Sequence, residues 1–284
     1  MCIRDRCNTV QERLKGNVRN FLIRQGIHHV REIDYRTREL YESELRRTKT
    51  FSKSLEYLKT LDRIKQFDIR KEMETLSGRN KEQLKYEGQV IFLPYIPDQD
   101  IGSDFDYIQD KSELVWDFSQ KASENLKRQI FQILCYALRN IKDSKDRRVR
   151  YLLPLRWMYE FCIEEGIDDI ERLELEQIKK LETIVARKVV NVKNSMQIVD
   201  NSRKILFMSG KEIHWYANVW YMERFNFAPE RVNPSNPVQR LSFYEVTNER
   251  NRELLQEYMK YQVGISDLAL GNIRSQLCYI KKFL

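Results

Sequence analysis

Apolar positions recur at helical spacing from the first stretch that shows a pattern: Val10, Leu14, Val18, Phe21 and Leu22 lie on one face, and Gly26 closes that helix. Asp34 is a suitable N-cap for a helix through Leu40, and Thr50 for a longer one carrying Phe51, Leu55, Leu58, Leu61, Ile64 and Phe67. Between Gln89 and Pro97 the period changes. Gln-Val-Ile-Phe-Leu-Pro-Tyr-Ile-Pro is β-branched and aromatic, and its two prolines resist helix, which predicts a short extended connector near 89–98. Helical patterning resumes around Glu113 to Phe118, then at Asn125 to Ile141, Tyr151 to Glu165, Leu175 to about Val185 and Ser195 to Met208. Trp215, Trp220 and Tyr221 are expected on a helix ending near Phe225. Pro229, Pro234 and Pro237 mark a linker, and a last helical stretch runs from Leu254 to Leu284. The expected fold is mainly α.

Three of these helix ends look alike. Phe21-Leu-Ile-Arg-Gln-Gly26-Ile27, Phe161-Cys-Ile-Glu-Glu-Gly166-Ile167 and Met259-Lys-Tyr-Gln-Val-Gly264-Ile265 each run an apolar helix into a glycine, with an apolar residue four positions beyond it. The physical expectation is a helix ended by a glycine at positive φ, a buried isoleucine and a capped second helix. The first two copies agree further, because Ile33 and Leu173 stand at equal distance from their glycines, followed by Asp34 and Glu174. The third has a shorter connection. Repetition of one helical unit is the organising feature.

The resulting layout is a first helical unit at 8–77, a connector with an acidic loop at 78–112, a second helical unit at 113–226, a Pro/Asn linker at 227–244 and a third unit begun at 245–284. Residues 1–7 resemble a translated sequencing-adapter scar and stand outside the fold. The last residues stop inside an uncapped apolar helix, which reads as an open-ended gene fragment.

Composition narrows the function. The 284 residues are 42% hydrophobic and 32% charged, with only 9 glycines and 6 prolines, which suits helices with solvated outer faces. Five cysteines form no CxxC pair, and no signal peptide or membrane-length apolar run is visible, so a reducing cytoplasm is expected, with no membrane partner. No Walker A, GxGxxG, GxSxG or HExxH motif occurs, and no cofactor, metal or catalytic residue is expected. Asp98, Asp100, Asp104 and Asp106 do not follow the EF-hand order and read as a solvated acidic loop. His214 beside Trp215 reads as packing, and the HxxR of His28 and Arg31 as coincidence.

Charge adds a direction. The net charge is +8, and two windows together exceed it: Lys121 to Glu160 holds ten Lys or Arg against four acids, and Lys179 to Lys211 holds eight against two. Such runs favour a polyanion. Arg147, Arg148 and Arg150 at a helix start, Lys193, Arg203 and Lys204, and Lys211 after Gly210 are the candidate DNA-backbone contacts. Arg147→Ala with Arg148→Ala is expected to lower affinity across sequences and flatten its salt dependence.

The last stretch, Glu253-Leu-Leu-Gln-Glu-Tyr-Met-Lys-Tyr-Gln-Val-Gly-Ile-Ser-Asp-Leu-Ala-Leu-Gly-Asn-Ile-Arg-Ser-Gln-Leu-Cys-Tyr-Ile-Lys-Lys-Phe-Leu284, resembles the opening of the core-binding domain of tyrosine recombinases, the site-specific phage and transposon integrases. The resemblance implies tandem SAM-like helical bundles that clamp duplex DNA, alongside other recombinase protomers in a synaptic complex. It adds Arg274, Lys281 and Lys282 to the DNA-binding candidates. The family's cutting domain supplies Arg, Lys, His-x-x-Arg and an attacking Tyr, and none of that set can be placed here. Two other readings stand beside this one: a non-enzymatic helical adaptor that binds DNA or protein, and a metal-dependent nuclease built on the acidic loop around Asp104.

Overall fold

The first helices form where the apolar stripe lies. In a computed structural model, which describes residues 12–75, 90–95, 102–105 and 107–284, α1 spans Glu12–Arg24, α2 Tyr35–Thr48 and α3 Phe51–Thr75. Val18, Phe21 and Leu22 of α1 pack with Tyr41 and Leu45 of α2 and with Leu58, Leu61 and Ile64 of α3. Asp34 caps α2 as expected, its carboxylate accepting from the Thr37 amide at 2.8 Å. Gly26 has φ +70°, and the amides of Gly26 and Ile27 reach back to the carbonyls of Ile23 and Leu22. This double bond pattern satisfies the last carbonyls of α1 and turns the chain into a 3-10 turn at Val30–Glu32.

Strands β1, Val90–Phe92, and β2, Val115–Asp117, pair antiparallel with Ile91 opposite Trp116. The extended segment is thus present at Val90–Phe92; Gln89 and residues 96–98 lie outside the described residues. The expected helix at 113–118 is instead a 3-10 turn, Lys111–Leu114, followed by β2. The reason is periodicity. Leu114, Trp116 and Phe118 are buried while Val115 and Asp117 are half-buried, which is a period of two and not of 3.6.

The chain divides into two units, residues 1–120 and 121–284. In the second, α4 spans Glu124–Asn140 and buries Leu126, Ile130, Ile133, Leu134 and Ala137. One helical rod follows: α5, Ser144–Arg147, a π-turn at Arg148–Leu152, and α6, Leu153–Glu164. Pro154 explains the π-turn, since a proline inside a helix lacks its N–H and crowds the carbonyl four residues back, and a widened turn relieves both. Gly166, at φ +66°, closes α6 by the same bond pattern as Gly26, from the Gly166 amide to Ile163 and from the Ile167 amide to Cys162. A 3-10 turn at Ile170–Arg172 leads into α7, Leu175–Ala186, and then α8, Val192–Ser209.

Trp220 and Tyr221 do not lie on a helix. They belong to strand β3, Val219–Tyr221, which pairs antiparallel with β4, Arg240–Ser242. A Val-Trp-Tyr run buried at every position suits a pleated ribbon between packed layers better than a helix with one face in water. Residues 227–244 likewise do more than link. Val238, Leu241 and Phe243 share one hydrophobic cluster with Phe207, Trp220, and Leu255, Met259 and Val263 of α9, Glu249–Gly264, and with Ile273 and Leu277 of α10, Leu270–Ile280. The third glycine departs from the other two: α9 runs through Gly264 in helical conformation, and Ile265 caps it. Among the described residues the protein is mainly helical, with two short strand pairs, and no helix is long and apolar enough to cross a membrane.

Candidate nucleic-acid interface

The ten candidate cations separate by what their side chains touch. Arg147 is 3% exposed, and its guanidinium donates to the Ile141 carbonyl at 2.8 Å and toward that of Lys142, closing the C-terminal end of α4. Arg203 is 2% exposed and donates to the Leu173 carbonyl beneath the 3-10 turn, with Tyr244 packed against its guanidinium plane. Neither can reach a phosphate. Both are structural cations that hold backbone carbonyls, so their assignment as DNA contacts is corrected. Arg148 is half-buried in the π-turn.

Three more carry an acid. Arg150 pairs with Asp146 at 2.9 Å, Lys204 with Glu223 at 2.8 Å and Lys281 with Glu245. Each keeps little net attraction for a distant phosphate. Lys193 and Lys211 are exposed, but Lys193 stands in the first turn of α8 and Lys211 just past its other end, more than about 20 Å away by helical rise.

Arg274 and Lys282 are brought together. The inner face of α10 buries Leu270, Ile273 and Leu277, which points the opposite face outward and aligns Gly271, Arg274, Ser275, Cys278, Tyr279 and Lys282 along it. That face forms one wall of an open hollow of about 570 Å³, and Asn233, Asn236 and Val238 form the other. No carboxylate lines it among the described residues. Arg231 holds the asparagine loop in place, donating to the carbonyls of Gln262, Val263 and Leu268 at 3.0–3.1 Å where α9 ends. The motif that carries the family resemblance therefore divides into a core face, Ile273 and Leu277, and a polar face, Arg274, Tyr279 and Lys282.

A second cluster has no counterpart in the sequence reading. The carboxyl of Glu171, 1% exposed, lies 2.7 Å from Nδ1 of His214, and its other oxygen is buried without a partner. Burial, with Asp169 nearby, pushes the Glu171 carboxyl up to about 8, and burial lowers the His214 imidazole. Burial thus favours the uncharged form of each partner, and the two share one hydrogen bond across 2.7 Å. Tyr216 stacks on His214 at 5.4 Å, and Arg172 lies 5.3 Å from the Tyr216 centroid. His214 thus has an acidic partner after all, 43 residues away in sequence. The residue seen as packing is the half-buried partner of a buried acid.

Of the acidic loop, Asp98, Asp100 and Asp106 lie outside the described residues, as do residues 1–7. Among the described residues no group of three His, Cys, Asp or Glu side chains could hold a metal ion. Cys135, Cys162 and Cys278 carry no disulfide. Comparison with known protein families, with curated proteins and with solved structures finds no match to this chain.

Proposed function

We propose that the chain is a DNA-binding helical module of the tyrosine-recombinase type, its repeated units forming tandem SAM-like bundles that grip duplex DNA beside other protomers. The observation that supports this reading best is the polar face of α10. It sets two cations, Arg274 and Lys282, that have no acidic partner among the described residues in a hollow lined by asparagine amides, within the stretch that resembles a core-binding domain. Cations in that setting contact phosphate, and amides contact base edges or sugar.

A gel shift on duplex DNA across salt tests it. Binding at about 50 mM salt should weaken steeply toward 200 mM, and the double variant Arg274→Ala with Lys282→Ala should flatten the log–log slope by about two, equally across sequences. Absence of any shift at the lower salt sinks the reading.

One observation favours a second reading, a protein-binding adaptor. Leu254, Tyr258, Tyr261 and Ile265 are exposed at 4-3-4 spacing along one face of α9. That is a helix seam of the sort that pairs with another helix. A partner captured despite nuclease, and lost on Ile265→Lys, would move the function to that face.

A further inference from the structure

The hollow beside α10 offers more than charge. Tyr279 lines it and is 64% exposed, so most of its surface is open to a ligand. The Lys282 ammonium lies 5.5 Å from the Tyr279 centroid. Across the hollow, Asn233 and Asn236 stand on the loop clamped by Arg231, and Asn272 stands on α10 itself. Asn233 accepts from the Ser235 amide, which leaves its NH2 group as a donor. The side-chain amides of Asn236 and Asn272 have no hydrogen-bond partner among the described residues.

We infer that this hollow holds one unstacked nucleobase of a single-stranded or locally opened DNA, with Tyr279 as the stacking face. The inference rests on the DNA-binding reading and narrows its substrate. A base inside a duplex presents its edges and not its face to a protein, so an exposed aromatic ring cannot stack on a base of intact duplex. An unstacked base presents its face, and stacking on an aromatic side chain beside a cation is how single strands are held. The amides supply paired donors and acceptors for the base's edge, and asparagine matches adenine best. Arg274 and Lys282 take the flanking phosphates. A volume of about 570 Å³ suits one nucleotide, and the Arg231 clamp keeps the asparagine wall in place before binding.

Fluorescence anisotropy with labelled oligo(dA) of about 12 nucleotides, and with a duplex of equal length, tests this at about 50 mM salt. The wild-type chain should bind both. Tyr279→Ala should weaken single-strand binding about tenfold and duplex binding by less than about twofold, while Tyr279→Phe, which keeps the ring, should match the wild type. Because Tyr279 is exposed, neither variant disturbs the core, and circular dichroism checks that. Binding of duplex alone overturns the inference and leaves the DNA-binding reading standing. Equal losses on both probes, or a Phe variant as weak as the Ala variant, also overturn it. Binding of neither probe removes both.

Discussion

The first and second helix–glycine–helix units are built to one plan at an offset of 140 residues, and they differ in how they treat the turn at its centre. In both, a positive-φ glycine ends a helix, an isoleucine follows, and a 3-10 turn with buried ends leads into the next helix: Val30 and Ile33 in one, Ile170 and Leu173 in the other. In both, a long cation from the third helix reaches under that turn. Lys65 donates to the Val30 and Arg31 carbonyls at 3.0 and 2.9 Å, and Arg203 donates to the Leu173 carbonyl. The second unit adds the Asn218 side chain on the carbonyls of Arg172 and Leu173, and it replaces the exposed Arg31 with the buried Glu171. The comparison teaches that the 3-10 turn leaves carbonyls the helices cannot satisfy. A cation meets that need whether it ends in ammonium or guanidinium.

The largest test of this equivalence is at the cation. Arg203→Ala should cost about 3 kcal/mol in urea unfolding, since it removes a charge-assisted bond and leaves the buried Leu173 carbonyl poorly served. Lys65→Ala should cost about 2 kcal/mol by the same argument, its site being closer to solvent. Arg203→Lys should recover most of the loss if the two units share one solution. A Lys variant as poor as Ala would break the comparison and make the guanidinium's packing on Tyr244 the decisive contact.

The difference between the units predicts a pH effect confined to the second. Glu171 releases its proton near 4.5 when unfolded and near 8 when folded, so between those values the folded chain binds the extra proton and rising pH destabilises it. His214 acts oppositely at lower pH, because its lowered value makes the unfolded chain take a proton first as pH falls through 6.5. At pH 6.5 the unfolded imidazole is still half protonated, so its opposing effect fades over the next pH unit and offsets a small part of the Glu171 effect. Stability should therefore fall by about 1–2 kcal/mol from pH 6.5 to 8 in the wild type. Glu171→Gln, whose neutral amide can still donate to His214, should remove that slope. A wild-type slope unchanged in the variant would mean that the carboxyl is already ionised at neutral pH beside a charged histidine.

How much of this could be read beforehand follows from where each constraint is written. Positive φ writes itself into a glycine, so Gly26 and Gly166 were legible, and so were the Asp34 cap and the buried stripe positions Val18, Phe21 and Leu22 of α1 and Leu58, Leu61 and Ile64 of α3. Helix α2 was expected to stop at Leu40, and its buried Tyr41 and Leu45 were not seen. Strand β2 was misread because Glu113 to Phe118 is too short to separate a period of two from 3.6. Arg147 and Arg203 were misread because sequence gives charge and not direction, and nothing local distinguishes an arginine facing a carbonyl from one facing water. The Glu171–His214 pair has no fixed spacing to find. One signal was available: in the repeat, Glu171 stands where the first unit has Arg31, and that reversal of charge marks a changed environment. The Arg274–Lys282 hollow was half legible, since the resemblance named the cations while the asparagine wall comes from a loop that read as linker.

The smallest expected effect sharpens the comparison most, because it asks whether the third glycine belongs to the plan. A Cβ at Gly26, Gly166 or Gly264 would meet no heavy atom within 4 Å, so space cannot distinguish them and only backbone conformation can. Gly26→Ala and Gly166→Ala place an L side chain at φ near +70°, which should cost about 1–2 kcal/mol each. Gly264 lies within helical α9, where alanine is better than glycine, so Gly264→Ala should be neutral or stabilising by up to about 1 kcal/mol. Urea midpoints for the three variants decide it. A loss at Gly264 comparable to the other two would mean that this helix also ends on a left-handed residue. The third segment would then rejoin the repeat, whereas the expected opposite sign sets it apart as a helix ending without one, with Ser266 meeting the Tyr261 carbonyl.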